Sequence, residues 1–168
     1  MRRILAVSTL AALLVPQATA QTASPATKLA ECRMALRDAM QAALKFPVIK
    51  REKTEEDGGQ EVIAVLNPGS FTVLGQPALG LQVKRVTSVL GQDDAFVTRV
   101  ALDYPAVRRL LPKAYGKSKC DAEGTAFTYC QMTMPEDASV GRRRVTMGAE
   151  PAEGGGTMLS CNYSKLDD

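Results

Sequence analysis

Apolar residues recur at helical spacing near the start of the chain. Over residues 29–44 they follow one another at steps of three and four, with charged and amide side chains between them. This pattern predicts one helix of about five turns with a single apolar stripe. Ser24 and Pro25 suit its N-cap and first helical position, and Pro47 ends it because the preceding residue avoids helical angles. Cys32 belongs to the stripe, so we expect its sulfur to face the core.

Shorter apolar runs separated by Gly, Pro, Asn and Asp predict strands after this helix. A second helical segment begins at Pro105, and Pro112 limits it to about two good turns. The last third has the pattern of a three-stranded meander. The predicted strands are residues 62–66, 71–74, 81–90 and 95–103 before the second helix, with a turn over residues 91–94, and residues 124–133, 142–149 and 156–163 after it.

The order of these elements is helix, strands, helix, strands. Such an order is typical of α+β domains whose helices cover one face of an antiparallel sheet. We therefore predict an N-terminal helix and a second short helix packed on one mainly antiparallel sheet of about six strands. The chain of 168 residues, with 45% hydrophobic and 23% charged residues, has the composition of one globular domain.

The first twenty residues have the pattern of a secretory signal peptide. Arg2 and Arg3 precede a short apolar run that ends at Pro16, and Ala18 and Ala20 supply the small residues of a cleavage site. The predicted organisation is a signal peptide over residues 1–20, a flexible mature N-terminus over residues 21–27, and one domain over residues 28–168. The expected location is secreted or periplasmic, with no integral membrane segment after cleavage.

Removal of this segment changes the charge balance. It takes away two arginines and no acid, so 19 basic and 18 acidic side chains remain and the net charge falls from +3 to +1. Whole-protein attraction to nucleic acid needs a strong net field or a concentrated patch. A nucleic-acid partner is therefore disfavoured.

Four cysteines in an exported chain favour two disulfides, because the compartment is oxidising and the number is even. They are Cys32, Cys120, Cys130 and Cys161. Hairpin symmetry in the meander places Cys130 and Cys161 on either side of the middle strand, both opposite Val145. Two strand spacings are about 9.6 Å, whereas a disulfide needs Cα atoms within about 7 Å, so these two should not pair. We favour Cys120–Cys130 with Cys32–Cys161, ahead of Cys32–Cys130 with Cys120–Cys161.

The sequence lacks residues and motifs that several kinds of catalysis require. The chain contains no histidine, which excludes Ser-His-Asp and Cys-His arrangements. The serines lack a Gly-x-Ser-x-Gly elbow and a lysine three residues on. The acids near the first turn, Glu55, Glu56, Asp57 and Glu61, lack the alternating pattern of a calcium loop, and we interpret them as a solvated turn. We predict no metal and no cofactor.

Local positive charge is the clearest surface feature. Cations cluster on and after the second helix, and a run of three arginines opens a later strand. If the two regions meet, they form a basic patch suited to an anionic partner. A solubilising helix face and a charged edge strand are the simpler explanation. The candidate residues are Arg108, Arg109, Lys113, Lys117, Lys119, Arg142 and Arg144.

These observations favour an exported, soluble, disulfide-containing binding protein without catalysis. Our leading hypothesis is an inhibitor or immunity-type protein that occludes an envelope or extracellular enzyme, with Arg108 and Arg109 as contacts. The alternative is an envelope accessory or structural protein that binds anionic lipid or glycan through the same residues. A hydrolase that uses carboxylates is the third hypothesis. The expected partner is an unidentified protein or an anionic envelope component.

Overall fold

The computed structural model describes residues 23–56, 59–88, 91–116, 120–121, 127–132 and 143–165. These residues form an α+β fold, as the sequence predicts. The predicted signal peptide lies outside the described residues. The elements are α1 (Pro25–Ala30), α2 (Leu36–Ala43), β1 (Val48–Glu56), β2 (Gly59–Leu66), β3 (Thr72–Val73), β4 (Gln76–Ser88), β5 (Gly91–Val100), α3 (Tyr104–Tyr115), β6 (Thr128–Met132), β7 (Arg143–Pro151) and β8 (Thr157–Lys165).

The strands of the described residues form one antiparallel sheet of eight strands, in the order β1-β2-β4-β5-β8-β7-β6, with β3 paired to β4. The expected number of about six is therefore too low. The strand that the sequence analysis missed is β1, whose residues are mostly charged. An edge strand is stabilised by pairing on one side and is commonly rich in charge, so hydrophobic patterning does not detect it.

One face of the sheet carries the core. The register aligns Phe96 on β5 with Cys161 on β8, Met147 on β7 and Cys130 on β6, all of them fully buried. Paired residues on neighbouring strands point to the same face, so these side chains form a continuous apolar row. Helix α1 packs on β5 and β8, and α3 packs on β6 and β7. We call this helix-covered side the inner face.

The prediction of one continuous helix in the N-terminal region is wrong, because the structure has two helices there, α1 and α2. Ser24 caps α1 and Pro25 begins it, as predicted, so Pro25–Ala30 is helical from within the expected flexible segment. The break lies at Cys32, whose φ of 54° is left-handed. This conformation interrupts the helical hydrogen bonds while the sulfur bonds Cys161 on the inner face. Leu44, at the end of the predicted stripe, is 81% exposed rather than buried.

Helix α3, which corresponds to the second predicted helix, is longer than the sequence indicates. Asp103 caps it by accepting a hydrogen bond from the Ala106 amide, and the helix continues past Pro112 to Tyr115. The hydroxyl of Tyr104 lies 2.7 Å from that of Thr128 on β6, which fixes the start of α3 on the inner face. A proline removes one backbone donor, and here the helix tolerates that loss three residues before its end.

The predicted turn over residues 91–94 is wrong. Ser88 on β4 pairs with Gly91, so residues 91–94 belong to strand β5. Three consecutive glycines, residues 154–156, lie between β7 and β8, and each has a positive φ.

The favoured disulfide pairing is confirmed: Cys32 bonds Cys161, and Cys120 bonds Cys130. The register of the meander differs in detail, because Cys130 and Cys161 both lie opposite Met147 rather than Val145. The argument against their pairing is unaffected, since the middle strand still separates them. Two disulfides are typical of proteins in an oxidising compartment.

Candidate ligand groove

The helices leave one end of the inner face open. A groove of about 380 Å³ lies between the C-terminal end of α2 and strands β1, β2 and β4. Its floor comes from alternate residues of β2, which a strand presents to one face. Its wall comes from α2 and the segment that leads to β1. The lining residues are Met40, Ala43, Leu44, Phe46, Val48, Arg51, Gln60, Val62, Ala64, Leu66, Val83 and Arg85.

Most of this lining is apolar, and part of it faces water. Leu44 is 81% exposed on the rim, and Val48 at the start of β1 is 49% exposed, whereas Leu66 at the base of the groove is buried. Small-molecule sites are usually concave and apolar, with a few polar groups. The groove has this character.

Arg85 is a polar residue of the groove that is already paired. Its Nε lies 2.7 Å from Oδ1 of Asp94, on the neighbouring strand β5. The other oxygen of Asp94 accepts a hydrogen bond of 2.9 Å from the Gln92 amide. The Asp94 side chain is 1% exposed and that of Arg85 is 39% exposed. The predicted turn over residues 91–94 would have left Asp94 in water, but Asp94 lies in strand β5 and is buried on the inner face.

Arg51, the other arginine of the groove, differs from Arg85 in its partners. It lies on β1 opposite Ala64, so its side chain starts beside the groove floor. Two residues further along the same face, Lys53 and Glu55 pair with each other at 2.6 Å. Arg51 makes no ion pair or hydrogen bond with a described residue. Among the described residues nothing compensates the charge of Arg51, so this charge is available to a ligand.

The acids of the predicted solvated turn have structural partners. Donation from the Lys53 ammonium, together with the Gln60 amide, holds the pKa of the exposed Glu55 below its usual value. Glu61 pairs with Lys84 at 2.7 Å on the other face of the sheet. Asp57 and the side chain of Glu56 lie outside the described part of the structure. The described residues include no cluster of three or more potential metal ligands.

The predicted basic residues do not all share one surface. Arg109 and Lys113 are exposed on α3, and Arg108 is half-buried on the same helix. Arg144 lies next to Val145, which is buried on the inner face, so Arg144 belongs to the opposite face of the sheet. The sheet therefore separates it from α3. Lys117, Lys119 and Arg142 lie outside the described residues.

The groove itself was not predicted from the sequence. The signal that was present is the alternation of Val62, Ala64 and Leu66, which marks one apolar face of β2. Without β1 and the break in the first helix, this alternation indicates only a buried strand.

No helix in the described part of the chain is both long and apolar enough to span a bilayer. Comparisons with protein-family models, curated proteins and solved structures find no match to this chain.

Proposed function

We propose that the protein is an exported binding protein without catalysis, and that it receives the apolar part of its ligand in the groove. The observation that carries this proposal is the concave apolar surface between α2 and strands β1, β2 and β4, with Leu44 and Val48 exposed on its rim. Exposed apolar surface of this kind costs free energy in water and is characteristic of binding sites.

The anchoring of the groove wall supports the proposal. The segment between α1 and α2 is tied to the sheet by the Cys32–Cys161 disulfide and by the Tyr163 hydroxyl, which donates to the Met34 carbonyl at 2.7 Å. Anchoring the start of α2 before the ligand arrives limits the entropy lost on binding. Export is the prediction of the N-terminal sequence, and the two disulfides are consistent with it.

A groove-filling variant tests the proposal with a neutral hydrophobic dye such as Nile red. We expect saturable binding of one dye per chain, lost in Ala64→Phe because the ring occupies the groove floor. The matched control is Ala95→Phe, since Ala95 pairs with Asn162 on the opposite face. Circular dichroism and unfolding midpoints show that each variant is folded. Equal dye binding by Ala64→Phe and wild type would contradict the assignment.

A second candidate is the inhibitor hypothesis, in which α3 enters the cleft of an enzyme. Arg109 and Lys113 lie one turn apart, both are exposed, and the helix contains no acid. This arrangement suits an acidic protein surface. The oxidised protein is used to capture partners from envelope and culture extracts, in parallel with Arg109→Glu/Lys113→Glu. A partner retained by the wild type and not by the double variant supports this candidate; equal retention by both excludes α3 as the contact.

The same helix is also the contact in the lipid or glycan alternative. Sedimentation with anionic vesicles or cell-wall polymer at two salt concentrations distinguishes the cases, because screening weakens binding to such surfaces. We expect the double variant to remove any salt-dependent sedimentation. Salt-dependent sedimentation that survives in the variant would assign the contact to other residues.

A further inference from the structure

We propose that the groove binds a single-chain amphiphile with an anionic head group, such as a fatty acid carboxylate, and that Arg51 binds the head group. This inference rests on the proposed function and adds the class of ligand. Three properties of the groove carry it: the charges of its lining, the partners of those charges, and its size.

The charges of the lining are all positive. Its ionisable residues are Arg51 and Arg85, and none of its lining residues is acidic. A groove with this lining attracts an anion and repels a cation, and the low-polarity wall beside the charges strengthens the preference. The nearest acid on the same face of β1, Glu55, is engaged by Lys53 and Gln60.

The partners of the two arginines distinguish their roles. Arg85 is held by the buried carboxylate of Asp94, so its charge is largely compensated within the protein. Arg51 has no partner among the described residues, and it projects from the position opposite Ala64. A guanidinium offers paired N–H donors that match the two oxygens of a carboxylate. The head group therefore belongs at Arg51, at the β1 side of the groove.

The size and shape of the groove favour one alkyl chain. Its volume of about 380 Å³ lies toward the lower end of ligand sites, which run from roughly 300 to 1,000 Å³. The apolar residues extend from Val48 to Val83 across three strands, and Leu44, at the C-cap of α2, completes the lining. A flexible chain can follow this surface and cover Leu44.

Binding of matched twelve-carbon amphiphiles tests the inference. Dodecanoate, dodecyl maltoside and dodecyltrimethylammonium present one chain with an anionic, neutral or cationic head group. Each is titrated below its micelle concentration into the oxidised protein, with displacement of Nile red as the readout. We expect dodecanoate to bind at least about tenfold more tightly than the cationic amphiphile, a difference of about 1.4 kcal/mol.

Two variants locate the head group. Arg51→Gln should weaken dodecanoate binding about five- to tenfold and leave dodecyl maltoside binding unchanged, because an exposed charged hydrogen bond is lost while the apolar surface remains. Arg109→Gln on α3 is the matched control and should change neither. Both residues are exposed, so neither substitution removes buried contacts.

The outcomes separate this inference from the proposed function. If the three amphiphiles bind equally and Arg51→Gln has no effect, the groove is a binding site and the anionic class is wrong. If none displaces a dye whose binding Ala64→Phe removes, the groove is a binding site and the single-chain class is wrong; if the dye itself does not bind saturably, both proposals fail. Sedimentation with anionic phospholipid vesicles in the absence of dodecanoate binding would replace the single-chain ligand with a membrane surface. A stable dimer that excludes the amphiphiles would identify a second copy as the occupant, and would also overturn the inference.

Discussion

The two disulfides should contribute unequally to stability, because they close loops of very different length. Cys32–Cys161 joins residues 129 positions apart, whereas Cys120–Cys130 joins residues 10 positions apart. A cross-link stabilises the folded state chiefly by restricting the unfolded chain, and the effect grows with the logarithm of the loop length. The perturbation is the pair of matched double variants Cys32→Ala/Cys161→Ala and Cys120→Ala/Cys130→Ala.

The expected magnitudes follow from these separations. The loop-closure relation gives about 5 kcal/mol for Cys32–Cys161 and about 2.7 kcal/mol for Cys120–Cys130. Cys32 and Cys161 are both fully buried, so their replacement by alanine also leaves a small void that adds to the first loss. Because a domain has only about 5–15 kcal/mol of stability, the first variant should lie near its unfolding transition at room temperature.

Urea unfolding followed by circular dichroism measures both quantities. The long-range variant should lose about 2 kcal/mol more than the short-range one and show a larger denaturant slope, because its unfolded chain is more expanded. Reduction of the wild-type protein is the control without a change in side-chain volume, and it should destabilise at least as much as the long-range variant. Equal losses in the two variants, or a larger loss for Cys120→Ala/Cys130→Ala, would refute the loop-closure reasoning.

Three further perturbations test other contacts. Arg85→Met should destabilise the fold by about 2–3 kcal/mol, because it leaves the buried carboxylate of Asp94 without its cation, while the lost guanidinium was partly solvated. Urea unfolding should show that stability recovers in Arg85→Met/Asp94→Leu. No recovery would contradict the pairing. Burial raises the pKa of Tyr115 and of Tyr163 above the usual value of 10.0, so the folded chain retains protons that the unfolded chain releases, and stability should fall as the pH rises above about 10. Tyrosinate absorbance from these two residues should then appear together with loss of secondary structure, and their ionisation in a chain that stays folded would count against burial as the cause. Gly156→Ala should cost more than about 2 kcal/mol, since its Cβ would clash with the Val100 carbonyl oxygen of β5 at a φ of +79°; a thermal midpoint equal to that of the wild type would disprove the close approach.

The local pattern of apolar residues and their spacing along the chain were sufficient to predict the fold class. Apolar residues at steps of three and four place α1 and α2 in one region, and alternation identifies β2 and β5 through positions such as Phe96 and Val100. The order of elements then restricts the arrangement to helices on one face of an antiparallel sheet. The disulfides were predictable for the same reason, because strand spacing alone excludes one of the three pairings.

The details that depend on distant contacts were not predictable. The break at Cys32 follows from the disulfide to β8 and from Glu31, whose buried carboxylate pairs with Arg33 at 2.6 Å and accepts the Leu74 amide at 2.8 Å. Of these partners, Cys161 and Leu74 lie far from the local helical pattern. The groove depends on the same break and on β1, an edge strand that charged residues conceal. Its one unpaired cation, among the described residues, looks in the sequence like any surface arginine.

The break in the first helix connects the stability of the fold to the candidate site. The segment between α1 and α2 is held by three contacts to two other elements: the Glu31 carbonyl accepts from Tyr115 on α3, the Met34 carbonyl accepts from Tyr163 on β8, and Cys32 bonds Cys161 on β8. All of them lie before α2, whereas the groove wall is formed by the end of α2 and the residues after it. The wall is therefore anchored at one end and exposed at the other, where Leu44 reaches into water. An alkyl chain beneath Leu44 would bury this free end, so ligand binding should slow hydrogen exchange in the last turn of α2 more than in α1.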